Sequence, residues 1–431
     1  MHPLQLLPRF RHVDRAMDLL AERESWSRQQ IEEHQLAKLN ATWSLALRDV
    51  PFYRDLSRKL DLPEHFESLR EFSEALPPLD KSTVKSRASQ LLARAPSPGR
   101  WHFTGGSSGT PMAVYKEHQA HSAALVSQYR FRQMYGVSPF DRTAFVWGHS
   151  MSFAPGLRGT IARLRQPVED RLRSRRRYSA YRLGGSDLEE YLRDMVGFRP
   201  AMIYSYSSAA LLLAQAAAGR GWSLPSLRVV IVTSEPASPV MLEAITAGLN
   251  APAAVEYGAA ECGLIAYQAP DGRLRVREDQ VRVETRRDGD AHEILISVLE
   301  NPSFPLFRYR IGDMTDVELS TPARGFATLG RILGRDNDVL TTARGARVHS
   351  EAVTHALEHL PEIVRFSARQ DSSGKVTVWI ETDATLQAHA LDRTKHRLSQ
   401  LLDGQAVEFR SVDVIPSTGS GKHRWIVSEL A

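Results

Sequence analysis

Cysteine is nearly missing: Cys262 is the single one in 431 residues. That excludes an internal disulfide framework and a cysteine-rich metal site, and makes a reducing cytoplasm the expected location. No apolar run reaches the ~20 residues that a membrane-spanning helix needs. The first residues, Met1 to Arg11, carry no signal core, so no membrane association is expected. A dominant charge is missing too. Fifty-five Lys and Arg face 50 Asp and Glu, leaving a net +5. A nucleic-acid partner requires a focused basic patch, and none is implied by that balance. There is no Gly-Lys-[Ser/Thr] phosphate loop of the Walker kind, no internal repeat and no low-complexity tract.

What is present is an ordinary globular balance, 42% hydrophobic and 24% charged, in a chain too long for one core. Residues 1–90 read as a helical N-terminal subdomain, punctuated by Pro51 and Pro77-Pro78, that packs on the main body or on a second copy in a homodimer. Chemistry is not expected there. From 100 to 260 strands and helices alternate: Thr143–Trp147, Ala201–Tyr204, Arg228–Thr233 and Ala253–Tyr257 as strands, Ser207–Ala218 and Pro239–Leu249 as helices. Such alternation predicts a largely parallel sheet with ligands at the carboxyl ends of its strands. Short strands at Glu293–Leu299, Leu306–Tyr309 and Asp316–Leu319 suggest a small antiparallel unit. After about 335 a compact α+β module follows. The fold class is therefore α/β: a large N-terminal domain of mixed or parallel sheets with covering helices, and a small, mobile α+β C-terminal domain. The division is 1–90, a core at 91–334, and 335–431. The insert Arg158–Arg182, with Arg173, Arg175, Arg176 and Arg177, reads first as a solvated surface loop and second as a seat for an anionic partner.

Five short segments carry the chemistry. Thr104-Gly105-Gly106-Ser107-Ser108-Gly109-Thr110-Pro111 puts three glycines and four hydroxyls between two short strands, a composition suited to polyphosphate. Tyr257-Gly258-Ala259-Ala260-Glu261 ends a strand with a carboxylate. Arg308-Tyr309-Arg310-Ile311-Gly312-Asp313 places another after a tight turn. Arg331-Ile332-Leu333-Gly334-Arg335-Asp336-Asn337-Asp338 lies at the domain break. Pro416 to Lys422 ends in a lysine on a Gly/Ser loop. Each alone is weak; an isolated Gly-Asp turn is usually only a turn. Their order and separations are specific.

Together they resemble the adenylate-forming (ANL) superfamily. Within it, the chain looks most like the phenylacetate–CoA ligases and the capsular polysaccharide biosynthesis (CapK)-like branch, through Val232-Thr233-Ser234-Glu235-Pro236 and the Arg331–Arg335 form. The resemblance covers roughly residues 50–431. It implies an AMP-forming acid–thiol ligase that uses ATP, Mg²⁺ and coenzyme A. Thr104, Gly105, Gly106, Ser107, Ser108, Gly109 and Thr110 would grip the β- and γ-phosphates, and Glu261 would hold Mg²⁺. Ser234, Glu235, Pro236, Tyr257, Gly258 and Ala259 would line the adenine site. Asp313 would accept from the ribose hydroxyls, with Arg331 and Arg335 nearby. Lys422 would reach the forming acyl-phosphate as a mobile charge, together with Thr104, Ser107 and Glu261 as the catalytic set. Asn337 would be the hinge of a rotating C-terminal domain, which would turn Arg344, Gly345 and Arg347 toward the incoming thiol. By position after strands, Trp147, Phe153, Tyr206 and Ala259 would line the pocket for the acid, and the aromatics favour an aryl or aryl-acetic acid; Trp147 and Phe153 read equally as core residues.

Three departures mark the chain. Ala260 stands where Thr or Ser is usual, Asn337 replaces the usual hinge Asp, and no basic residue follows Pro111. The first removes a hydrogen bond to a charged group worth about 1.5–3 kcal/mol. An amine or a carrier-protein thiol as acceptor therefore stays open, giving an amide synthetase or a carrier-loading enzyme. So does a non-catalytic nucleotide-binding homologue.

Overall fold

The computed structural model describes residues 8–103, 112–148, 170, 174–180, 183, 185–335, 339–345, 347–349, 353, 356–357, 360, 363–382, 386–415 and 425–430. The chain divides into two units, Met1–Phe140 with Val255–Arg331, and Asp141–Ala254 with Ile332–Ala431.

The first unit begins with helices. Ser27 and Gln30 form a reciprocal capping box that opens the helix Arg28–Asp49, satisfying two backbone donors that a helix start leaves bare. Pro51 starts the next helix, Pro51–Leu60, where its missing N–H costs nothing. These helices bury aromatic rings against a later segment. Trp43, Tyr53, Phe66 and Phe72 pack edge-on or tilted with one another and with Phe307, at centroid distances of 5.1–5.9 Å. Charge fastens the same seam. Arg28 forks onto Glu278 with bonds of 3.1 and 2.8 Å, and fully buried Arg277 donates to buried Asp279 at 2.8 Å. An antiparallel sheet follows, Val281–Asp288 against Ala291–Val298 against Tyr309–Thr315. A second ladder runs Thr328–Leu329, Leu274–Val276, Gly263–Gln268 and the first-unit part of Ala253–Ala259.

In the second unit Val229–Thr233, Met202–Tyr206, Thr143–Trp147 and Arg175–Ser179 form parallel neighbours in that order. Every residue of Val229–Thr233 is buried, as a parallel strand covered on both faces requires. The helices Gly185–Phe198, Ser207–Arg220 and Pro239–Leu249 belong to this layer. The C-terminal part builds a separate four-stranded sheet, ordered Val407–Ser411, Val376–Thr382, Ile363–Gln370 and Ile426–Ser428. Leu340, Phe366, Val378, Leu398 and Ile426 form its core.

The sequence reading needs four local corrections. Leu306–Tyr309 and Asp316–Leu319 are not strands; the strand is Tyr309–Thr315, because buried Tyr309, Ile311 and Met314 face the core across its length. Val281–Asp288 and Ile426–Ser428 were not expected as strands. Asp313 consequently lies within a strand, not after a turn; positive φ at Arg308 (49°) and Gly312 (82°) makes the local sequence look turn-like. Part of the arginine-rich insert is also ordered. Arg175–Ser179 is the edge strand of the parallel sheet, with Arg175 over the Phe145 ring at 4.9 Å and Arg177 bonded to Asp170 at 2.8 Å.

Candidate active site

The Gly/Ser loop itself lies outside the described residues, but its flanks do not. Gly99–Phe103 and Ala113–Glu117 pair antiparallel, with Phe103 opposite Ala113. Asn301 locks this hairpin in place: its Nδ2 donates to the Tyr115 carbonyl at 2.8 Å and its Oδ1 accepts from Glu117 N at 3.0 Å. Glu117 Oε1 in turn accepts from Ser303 N at 2.8 Å. Gly99 is obligatory, since a Cβ there would sit 2.3 Å from the Lys116 carbonyl oxygen. The two strands that bracket the loop are thus tied to Asn301 and Ser303.

Tyr257 to Glu261 fold as a second hairpin. The strand Ala253–Ala259 continues past the expected Tyr257 end, and Ala259 pairs with Gly263. Ala260, Glu261 and Cys262 form the turn. A bulge falls at Tyr257/Gly258, and a Cβ on Gly258 would meet the Gly263 carbonyl oxygen at 2.5 Å. The positive φ of 81° at Gly263 completes the turn. The geometry buries Glu261 while leaving Ala260 exposed.

Two tyrosine–carboxylate pairs result. Tyr257 Oη donates to Asp313 Oδ2 at 2.8 Å, and Tyr309 Oη donates to Glu261 Oε1 at 3.2 Å. Burial raises both phenols well above their ordinary range, and the adjacent carboxylates push further in that direction; the tyrosines remain donors at any physiological pH. Glu261 has a second neighbour that the sequence reading missed. Lys81, at the start of the helix Lys81–Ser86 in the region expected to lack chemistry, brings Nζ to 3.6 Å from Glu261 Oε1. Lys116 also feels Glu261 and Cys262, while burial lowers its ammonium from the ordinary value. A lysine three residues past a proline-proline pair carries no motif, so only the fold could find Lys81.

Both the Tyr309 hydrogen bond and the Lys81 ion pair fall on Glu261 Oε1. No cluster of three or more His, Cys, Asp or Glu able to hold a metal occurs among the described residues. A single buried carboxylate nevertheless fits Mg²⁺, which takes one or two protein carboxylates and completes its shell with phosphate and water.

Ser234, Glu235 and Pro236 follow the buried strand Val229–Thr233 in the second unit. Ser234 is exposed, with a positive φ of 69°. Glu235 Oε2 accepts from Ser208 N at 3.0 Å and Ser208 Oγ at 2.7 Å, so the carboxylate caps the helix Ser207–Arg220. Tyr206 and Trp147 do meet, with ring centroids 4.2 Å apart, and Tyr204 stacks on Trp147 at 5.5 Å. Tyr206 is buried and Trp147 half-buried. Arg331 is exposed and bonds Asp316 through Nε and through its backbone N–H, each at 2.8 Å. Phe153, Asn337, Lys422 and the side chains of Arg335 and Arg347 lie outside the described residues. Arg344 and Gly345 are exposed, Arg344 within 3.3 Å of Asp403.

Residues 340–429 match the CapK C-terminal domain family. The chain is 20% identical over 392 residues to Protein CapK of Staphylococcus aureus, covering 89% of this chain and 86% of that one. It is 26% identical over 372 residues to the phenylacetate-coenzyme A ligase of Escherichia coli (strain K12), covering 80% and 78%. Its fold resembles the crystal structure of 2-hydroxyisobutyryl-CoA ligase in complex with an acyl-AMP, with a TM-score of 0.75 at 17% identity, covering 95% of this chain and 92% of that one. Among the described residues no helix is long and apolar enough to cross a membrane.

Proposed function

We propose that the chain is an adenylate-forming enzyme of the CapK-like and phenylacetate–CoA ligase-like branch, which activates a carboxylic acid with ATP and passes the acyl group to the thiol of coenzyme A. The relatives named for CoA ligation support that acceptor. The observation that carries the reading is the convergence in one unit of Asp313 held by Tyr257 and Glu261 held by Tyr309.

In the first half-reaction a carboxylate oxygen of the acid attacks the α-phosphorus of ATP. The bond from that phosphorus to the bridging oxygen breaks, and pyrophosphate leaves. Such a transfer is governed by positioning and charge neutralisation. Asp313, fixed by the Tyr257 hydroxyl, accepts from the ribose hydroxyls. The Thr104–Thr110 loop, between its tied strands, binds the β- and γ-phosphates. Glu261 is the carboxylate that would hold Mg²⁺, which when bound neutralises phosphate charge. Lys81, already at Glu261, supplies a cation that the loop sequence lacks after Pro111. Lys422 serves as the mobile charge at the acyl-phosphate. The resemblance assigns Ser234 to Pro236 and Tyr257 to Ala259 to the adenine, and Arg331 and Arg335 to the ribose and phosphate. In the second half-reaction the thiol sulfur attacks the acyl carbon, AMP leaves, and the thiol proton is lost to solvent. The small domain, 335–431, turns about Asn337 between the two steps and brings Arg344, Gly345 and Arg347 toward the thiol.

The acid is proposed to be aromatic. A ring can stack on the half-buried Trp147 beside Tyr206, and such pairs contribute about 0.5–1.5 kcal/mol beyond burial. Phe153 is proposed for the same wall. The test is acid-dependent exchange of labelled pyrophosphate into ATP across a panel of aryl, aryl-acetic and short aliphatic acids. AMP release is then followed with CoA, amines or a carrier protein. Exchange lost in Lys422→Ala and AMP release accelerated by CoA are expected. Acceleration by an amine alone would replace CoA as acceptor, and absence of exchange with every acid would leave only nucleotide binding.

A further inference from the structure

The segment that leads from the N-terminal helices into the helix Lys81–Ser86 is bound to the strand that carries the site. Leu79 makes an isolated parallel bridge with Tyr309. Its N–H donates to the Arg308 carbonyl, and its own carbonyl accepts from Arg310 N, each at 3.0 Å. Asp80, at the start of that helix, accepts from Arg310 Nη1 at 3.2 Å, and Arg310 Nε donates to buried Glu293 at 2.5 Å. Arg308 Nη1 donates to the Leu76 carbonyl at 2.5 Å. Backbone and side chains together therefore fix Lys81 two residues from a strand pairing with Tyr309, the residue that bonds Glu261. The Lys81 side chain itself is exposed, on a flexible four-carbon stem.

Glu261 is buried, and a buried carboxylate keeps its charge only beside a counter-charge. Lys81 Nζ supplies one at 3.6 Å from Oε1, an ion pair beyond hydrogen-bond distance. The Tyr309 hydroxyl donates to the same oxygen at 3.2 Å, and Lys116 feels Glu261 through space. An ammonium this close and a dication on the same carboxylate repel each other, the more so out of bulk water. Lys81 and Mg²⁺ therefore compete for one negative charge. The lysine is the weaker holder: it is a point charge at long range, and its exposed stem lets it swing away.

We infer that Lys81 is an exchangeable counter-cation of Glu261. Before metal and nucleotide arrive it balances the carboxylate and keeps a lone dication off. When Mg²⁺ comes in with ATP, the ammonium leaves Glu261 for a phosphate oxygen of the nucleotide. The inference rests on the ligase reading for the assignment of Glu261 to the metal, and adds to it an order of binding. Metal and nucleotide enter as a pair, since each favours the position of Lys81 that the other needs, and that coupling is reciprocal.

The test uses the full chain and two probes: Mn²⁺ without nucleotide, followed by water-proton relaxation, and magnesium–ATP, followed by calorimetric titration. Wild type is compared with Lys81→Met, Lys81→Arg and Lys85→Met, the last at an exposed lysine one turn along the same helix. Lys81→Met is expected to bind Mn²⁺ about tenfold or more tightly than wild type, while its affinity for magnesium–ATP rises by less than about threefold. Lys81→Arg and Lys85→Met should stay within about threefold of wild type for both probes. Adding Glu261→Gln to Lys81→Met should abolish the Mn²⁺ gain. Should Lys81→Met fail to fold by its melting curve, Lys81→Gln takes its place. Equal Mn²⁺ affinity in wild type and Lys81→Met overturns the inference, as does Mn²⁺ that binds neither. A magnesium–ATP gain as large as the Mn²⁺ gain overturns it too, because the ammonium then never reaches the nucleotide. The same Mn²⁺ gain in Lys85→Met reduces the effect to net charge and overturns it as well. Pyrophosphate exchange on the wild type runs in parallel. Its absence, with the Mn²⁺ gain present, sinks the ligase reading and leaves the exchange of cations standing; its presence with equal Mn²⁺ affinities sinks only the Lys81 assignment.

Discussion

Asp313→Ala is the sharpest perturbation the structure offers, because Asp313 has a known neighbour and an assigned duty. Its carboxylate accepts from Tyr257 Oη at 2.8 Å, and the proposal gives it the two ribose hydroxyls of ATP. Hydrogen bonds to an ionised group are worth about 1.5–3 kcal/mol each. Water replaces part of that in the alanine variant, so a net loss of about 2–4 kcal/mol is expected, or roughly 30- to 1,000-fold in Kd. The same change leaves the buried Tyr257 hydroxyl without its acceptor, costing about 1–3 kcal/mol of folding stability. Asp313→Asn keeps an acceptor for Tyr257 and should lose only about tenfold in ATP affinity. Tyr257→Phe removes the orienting bond alone and should weaken ATP by less than about tenfold. Stabilities in the Asp313→Ala/Tyr257→Phe double variant should fall short of the sum of the singles, since the two share one bond. Calorimetric titration with ATP and magnesium measures the first set, and denaturant unfolding the second. An Asp313→Ala variant that melts close to wild type and binds ATP equally well refutes the reasoning.

Three further outcomes follow from the same coordinates. Gly258→Ala forces a Cβ to 2.5 Å from the Gly263 carbonyl, so the Glu261 hairpin must open. A stability loss of about 1–3 kcal/mol is expected, with pyrophosphate exchange falling alongside it. Arg277→Met strips the 2.8 Å partner from buried Asp279 and should cost about 3–5 kcal/mol, read by denaturant midpoint; adding Asp279→Leu should restore much of it. The depressed pKa of His102 also has a sign. Its native value of about 4 lies below the ordinary 6.5, so the unfolded chain binds the proton first. Stability is highest above the unfolded value and declines as pH falls from about 6.5 toward 4. The slope of unfolding free energy against pH should flatten there in His102→Gln, and an unchanged slope refutes the lowering of His102 by burial and by Arg100.

Motif-bearing segments were legible because glycines, prolines and isolated carboxylates are punctuation that the chain cannot disguise. The parallel strands Thr143–Trp147 and Val229–Thr233 were readable as apolar runs, and Pro239 at the start of its helix gave that boundary. Val281–Asp288 escaped because its outer half is charged and exposed. Arg175–Ser179 escaped for a related reason: three successive arginines read as solvent, yet Tyr178 buries against the sheet and Phe145 and Asp170 occupy two of the guanidiniums. Lys81 could not be found at all, since its partner lies 180 residues away in sequence (261 − 81) and only the fold closes that distance. Glu235 was noticed for its motif, whereas its grip on Ser208 belongs to a helix start whose cap comes from another strand.

The seam that ties the N-terminal helices to Arg277–Asp279 has a bearing on biosynthesis. Arg28 and Glu278 are 250 residues apart, and Tyr53 donates to the Pro305 carbonyl across 252. At ribosomal speeds of about 5–20 residues per second, the early helices wait tens of seconds for the strands that neutralise and cover them. During that interval Trp43, Tyr53 and Phe72 lack Phe307, and the nascent chain depends on chaperones or on its own slow non-local closure. Translation pauses upstream of residue 277 would lengthen the interval in which those rings stand uncovered.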